Sequence, residues 1–264
     1  MLLAKYFIAF KNVLQSEIEF RANTLIRFFI SLITLVSIFY LWNDVFSARA
    51  EIAGYTKEQI ITYYILITFI LASVITFSPV ADNIRNGELS MYITRPISYI
   101  WYQYWLALAQ RFMRVLIGLP ILIIIFIIFR EHVYIVTNPL SYLILLVTVF
   151  SAMNLLFFID ILINFLEFWF TNSWGMNMVF DYISSIFSGA LIPLAFLPSW
   201  LITIGNFLPY QYTGAFLIDA FIGRISFDQT LLGILIQFVW MIILYIMSRI
   251  VWHLGLKRYE AYGS

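Results

Sequence analysis

A chain of 264 residues that is 63% hydrophobic and only 11% charged does not make a soluble domain; the bilayer is its solvent. A net charge of +1 argues against a nucleic-acid footprint, and the lack of cysteine excludes disulfides and thiolate metal sites. Lys5 and Lys11 interrupt the first apolar residues, so no signal peptide is expected.

Residues 2–21 are too broken by charge to span. Leu3, Phe7, Phe10, Leu14 and Ile18 recur at helical spacing opposite Lys5, Lys11, Gln15 and Glu19. This is an amphipathic helix, lying in the headgroup boundary or packed as an extension of the first span. Spans are expected at 25–42, 59–80, 111–129, 140–159, 175–197 and 230–252, within a single transmembrane domain over 1–264.

Between the second and third spans lies the most polar break of the first half, Asp82–Ser98. Gly87 can take the positive φ a reversing chain needs. Glu88–Thr94 has no breaker and is long enough for about two helical turns. Pro96 stops that helix by disfavouring α geometry at Arg95. A plain solvated loop is the alternative reading.

Arg111 and Arg114 stand at i, i+3 and are expected to share a face at the start of the third span. Asp160 and Glu167 end the fourth span, and Asp181 lies about two turns into the fifth. Opposite charges at one depth are expected to pair, so that at least one arginine bridges to one of these acids. Snorkelling of each charge to water is the alternative. After Pro198 the apolar pieces are too short to cross, and Pro209, Gly214 and Gly223 punctuate them, which reads as two short helices that dip in and return.

With six spans and the N-terminus inside, the inner segments hold Lys5, Lys11, Arg21, Arg27, Arg85, Arg95, Arg111, Arg114, Arg249, Lys257 and Arg258. The outer ones hold Arg49, Lys57, Arg130 and Arg224, so both termini are expected to be cytoplasmic in a cell membrane. Catalytic constellations are missing: His132 and His253 fall on opposite sides, and no P-loop pattern occurs.

Four stretches carry a resemblance: R-N-G-E-L-S-x-x-I-T-R-P-I at Arg85–Ile97, S-G-A-L-I-P-L-A-F-L-P-S-W-L at Ser188–Leu201, L-P-Y at Leu208–Tyr210 with I-G-R at Ile222–Arg224, and G-L-K-R-Y-E-A-Y-G at Gly255–Gly263. In this order and topology the chain resembles an ABC-2 type permease, the membrane subunit of a bacterial or archaeal ABC exporter. The resemblance implies an all-α membrane protein with six transmembrane helices, no cofactor of its own, and no enzymatic activity of its own. It implies two copies of a separate ATPase, a second permease copy or sister permease, and the lipid bilayer as partners. Arg85, Asn86, Gly87, Glu88, Leu89, Arg95 and Pro96 would be the ATPase-coupling residues. Pro193, Pro198, Trp200, Pro209, Tyr210 and Gly223 would form an extracellular re-entrant gate. Independently of the resemblance, the positions of Arg111, Arg114, Asp160, Glu167 and Asp181 lead to the expectation of a charge cluster at the inner boundary. The cargo expected from apolar, aromatic-rich walls is an amphipathic or hydrophobic molecule; the rival reading is a non-transporting membrane scaffold or assembly factor.

Overall fold

The computed structural model describes residues 2–19, 21–74, 78–170 and 174–259. Stretches of the expected first helix, second span, fourth loop and C-terminal tail, at 20, 75–77, 171–173 and 260–264, lie outside them. Among the described residues the regular elements are helices and one small hairpin. In order come α1 (Leu2–Glu19), α2 (Arg21–Val45), β1 (Glu51–Ile52), β2 (Tyr55–Thr56), α3 (Lys57–Val74), α4 (Val80–Arg85), α5 (Ser90–Ile93) and α6 (Tyr99–Ile128). Then follow α7 (Pro139–Asn164), α8 (Trp174–Phe187), α9 (Ser199–Asn206), α10 (Ala215–Phe221) and α11 (Phe227–Leu256).

Among the described residues five helices are long and apolar enough to cross a membrane: α2, α3, α6, α7 with its 3-10 extension to Phe168, and α11. The chain is a multi-pass membrane protein. The helix ends follow local chemistry. Asn138 caps α7 by accepting from the Leu140 N–H at 3.0 Å, and Pro139 supplies the preset φ of a first helical residue. Ser226 and Gln229 cap α11 reciprocally, each side chain taking the other's backbone N–H, at 3.3 and 2.9 Å.

α3 is the central strut. Its most apolar window is 67% buried, against 17% for α2 and 22% for α6 and α11, whose outer faces are left for lipid or another chain. α2, α6, α7 and α10 all pack on α3. Tyr55, Ile60, Tyr63, Ile67, Leu217 and Ile218 make one fully buried apolar cluster toward the hairpin end. A second cluster, with Leu89, Leu155, Phe165 and Trp252, fills the opposite end beneath α4 and α5.

Three expected boundaries are corrected. The helix that carries the third span does not begin at Arg111: α6 is continuous from Tyr99 over 30 residues, so both arginines are mid-helix. At 1.5 Å per residue this is about 45 Å, longer than a roughly 30 Å hydrocarbon core, and its first turns, α1 packed along them, have reach beyond it. The fifth expected span, 175–197, is helical only to Phe187. Gly189 turns the chain there at φ +78°, and its carbonyl accepts from the buried Tyr63 hydroxyl at 2.8 Å. A β-carbon on Gly189 would lie 2.2 Å from that hydroxyl oxygen and 2.8 Å from Ala215 Cβ, so only glycine fits the corner. Finally, the helix expected over Glu88–Thr94 is a single turn, α5, and a separate short helix, α4, precedes it.

Candidate functional site

The segment from Val80 to Ser98, ahead of α6, is tied to several neighbouring elements. Within it, Gly87 at φ +78° reverses the chain, and the Leu89 N–H donates back to the Asn83 carbonyl at 2.9 Å. Leu89 is fully buried as the plug beneath the turn. Asn83 is buried and donates to the Tyr99 hydroxyl at 2.8 Å, fastening α4 to the first residue of α6. Tyr6 of α1 accepts from the Ser98 N–H at 3.0 Å, and Lys5 of α1 donates to the Pro96 carbonyl. Tyr259, past the end of α11, accepts from the Ser90 N–H at 3.3 Å. Arg85 pairs with Asp82 and reaches Glu167 at 3.7 Å, so α4 is also held to the 3-10 turn that ends α7. Outward, the segment presents Arg85, Asn86, Glu88, Met91, Ile93, Arg95 and Pro96. Met91 and Ile93 are 53% and 47% exposed, a small apolar spot ringed by charge.

Deeper in the bundle, a cavity of about 370 Å³ opens between α3, α6, α7 and α8. Arg111, Asp160 and Asp181 line it, with Ser184, Ser185 and Tyr210. Three of the five residues expected as a charge cluster are thus brought together around one space. The expected ion pair is not made: among the described residues no acid of the set lies within 4.0 Å of either arginine. Arg111 is buried and spends its donors on the main chain instead, Nε to the Val74 carbonyl at 3.0 Å and Nη1 to the Met153 carbonyl at 2.7 Å. The first bond ties α6 to Val74 of α3 and the second ties it to Met153 within α7, which a planar guanidinium with several donors can do at once. Asp160 accepts from Asn164 one turn on, at 3.1 Å.

Arg114 and Glu167 do not join that space. Three residues along a helix is a rotation of about 300°, enough to send a pair of side chains to different neighbours when the helix lies between them. Arg114 is turned toward α1 and α2, where Glu17 and Arg27 are its charged neighbours. Glu167 belongs to the α4 junction with Arg85.

The opposite end is closed by a latch no motif announced. Tyr55 donates its hydroxyl to Asp219 at 2.7 Å, and Arg224 pairs with the same carboxylate at 3.1 Å. Arg224 also grips the hairpin corner, donating to the Gly54 and Ala53 carbonyls at 3.1 and 3.0 Å. The segment from Pro193 to Gly223 lies beneath. Pro193 and Pro209 each lead into a 3-10 turn, Pro198 caps α9, and Gly223 turns at φ +75° before Arg224. Tyr210 is buried against the cavity, whereas Trp200 is 62% exposed and stands apart from it. One signal for the latch was legible: Asp219 is an acid inside the apolar run of α10, five residues before an arginine. Its partner Tyr55 could not be found that way, since 164 residues separate the two.

A family model described as an ABC-2 family transporter protein matches residues 32–263. No curated protein and no solved structure matches the chain.

Proposed function

The chain belongs to the ABC-2 transporter family and is a permease, the membrane subunit of an ABC transporter, and from that premise we propose that it forms half of the pathway of an ATP-driven exporter. The ATPase is a separate chain, present in two copies, and the second half is another copy of this permease or a sister subunit. The observation that carries this reading is the segment from Val80 to Ser98. It is bonded to α1, α6, the end of α7 and the end of α11, yet turns an exposed face of Glu88, Met91, Ile93 and Arg95 outward. A push on such a face is delivered to four helices at once, which is what coupling to an ATPase requires. Apolar side chains ringed by charge are a surface suited to a protein partner.

Six passes complete the topology. Tyr6, Tyr259 and Glu167 all meet the Val80–Ser98 segment, so the starts and ends they belong to share one side. Arg224 meets the hairpin between α2 and α3, on the other side. The chain therefore crosses between Phe168 and Arg224, and α8, with the turn at Gly189, is the stretch available for it. At about 21 Å, α8 is short of a roughly 30 Å core, and the non-helical remainder is covered by α3 and α10. The lysine and arginine bias puts the Val80–Ser98 side in the cytoplasm of a cell membrane. ATP-driven closure of the partner then rocks two permeases between inward and outward openings, with the hairpin and the Pro193–Gly223 segment as the outer gate. The cargo is an amphipathic or hydrophobic molecule.

A photo-cross-linking residue at Met91 should capture a chain carrying a P-loop and an ABC signature. In the reconstituted complex, Gly87→Val should abolish stimulated ATP hydrolysis at unchanged membrane levels, because valine does not adopt φ +78° without strain. Unchanged stimulation in both Gly87→Val and Glu88→Arg would overturn the coupling assignment.

A further inference from the structure

The charges around the cavity do not balance, and the imbalance says what fits. One arginine faces two aspartates there. Arg111 is held to the wall by two carbonyls, and its charge acts on Asp160. Asp160 has Asn164 as a further partner. Asp181 has neither: among the described residues its carboxylate takes no hydrogen bond and no ion pair, and the nearby Ser185 hydroxyl donates to its main-chain carbonyl instead, at 2.8 Å. Asp181 is exposed on α8 in the single chain while Asp160 lies deeper, so the carboxylate without a partner stands at the rim.

A guest that enters displaces water from that carboxylate. A neutral or anionic guest leaves the charge without its solvation, which is costly at membrane depth. A protonated amine replaces the water with charge-assisted hydrogen bonds. Phe180 and Tyr210 add aromatic side chains to the lining, and Leu71, Ile159 and Ile163 supply apolar wall. A volume of about 370 Å³ is in the range of small-ligand pockets. We infer that this cavity binds amphipathic cations, with an ammonium head at Asp181 and Asp160 and the apolar body along α3 and α7. As a statement about cargo this rests on the permease reading above; as a statement about binding it is read without any ATPase.

The absence of native cysteine makes the test direct. Ser185→Cys is prepared in nanodiscs of phosphatidylcholine, with Ser226→Cys on the far loop as reference. Trimethylammonium-ethyl and sulfonatoethyl methanethiosulfonate are compared as probes. After normalisation to the reference thiol, the cationic reagent should react with the cavity thiol at least about tenfold faster than the anionic one. The preference should fall toward one in Asp181→Asn. Dodecylammonium should slow alkylation of the same thiol by N-ethylmaleimide, while dodecyl sulfate and dodecanol should not. A rate ratio at or below one in the chain with Asp181 intact, equal protection by dodecyl sulfate, or inertness of both Ser185→Cys and Ser184→Cys to every reagent would each overturn the inference. None of these readouts changes if the ATPase assignment fails.

Discussion

The Arg224 guanidinium lies over the Tyr55 ring, 3.3 Å from its centroid, while both residues hold Asp219. One arginine thereby spends its charge on a carboxylate, its N–H groups on two hairpin carbonyls and its flat face on an aromatic ring. This geometry is one a lysine cannot reproduce. Arg224→Lys should keep the ion pair and lose the carbonyl bonds and the stacking, lowering stability by on the order of 1–3 kcal/mol, read as a fall in Tm in nanodiscs. An unchanged Tm would mean the hairpin is held by packing alone.

Acid should strengthen the same latch. Burial, the largest influence, raises the Asp219 carboxyl above the ordinary carboxylate range, and the Tyr55 hydroxyl and Arg224 pull it partly back. A raised carboxyl holds its proton more tightly folded than unfolded. Its contribution to stability is therefore fully present below the unfolded carboxylate pKa and is lost as pH rises through the folded value. The Tm of the wild-type chain minus that of Asp219→Asn should grow in favour of the wild type from neutral to acid pH. Growth in the other direction would show that pairing with Arg224 outweighs burial.

Gly189 should tolerate no side chain. Gly189→Ala places a methyl against the Tyr63 hydroxyl at a residue with φ +78°, so the left-handed strain of about 1–2 kcal/mol adds to the clash. Tyr63→Phe alone should cost about 0.5–1.5 kcal/mol through the lost bond to the Gly189 carbonyl. Combined, the two should cost less than their sum, because the phenylalanine removes the atom that clashes. Strict additivity in thermal unfolding would argue against this contact.

Tyr259 should matter for coupling and not for insertion. Its hydroxyl accepts from the Ser90 N–H, so Tyr259→Phe loosens α5 from the end of α11 while leaving the ring packed on Phe168. Membrane levels should be unchanged and ATPase stimulation in the reconstituted complex reduced a few-fold, the loss of one ordinary hydrogen bond of about 1 kcal/mol. Full stimulation would remove the C-terminal tie from the coupling scheme.

Sidedness is tested with single cysteines in this cysteine-free chain. Those at Ser47 and Ser226, both exposed, should label with an impermeant reagent from outside intact cells, and one at Ser90 should not. Labelling at Ser90 would invert the orientation.

Composition and periodicity alone determined the membrane class, the positions of α2, α3, α7 and α11 to within several residues, the far end of α6, and the polar segment around Gly87. Those properties are local: a run of apolar residues must leave water wherever it lies, and a Gly87 or Pro96 restricts its own backbone whatever surrounds it. The sequence also named Arg111, Asp160 and Asp181 as charges at one depth, because an ionisable residue in an apolar run stands out by itself. Only the tertiary structure decided what those charges do. Arg111 turned to the carbonyls of Val74 and Met153, which no spacing rule could foresee, since they lie 37 and 42 residues away on other helices and meet it only through packing. Arg114, less than a turn further on, met Arg27 and Glu17 instead of the cavity. The demand for glycine at the corner after α8 likewise came from outside the helix, from Tyr63 and Ala215, which leave no room for a side chain at Gly189. Tyr55, Asp219 and Arg224 met because α3 and α10 pack together in space, and side-chain contact across such separations is a property of packing that no local stretch of chain contains.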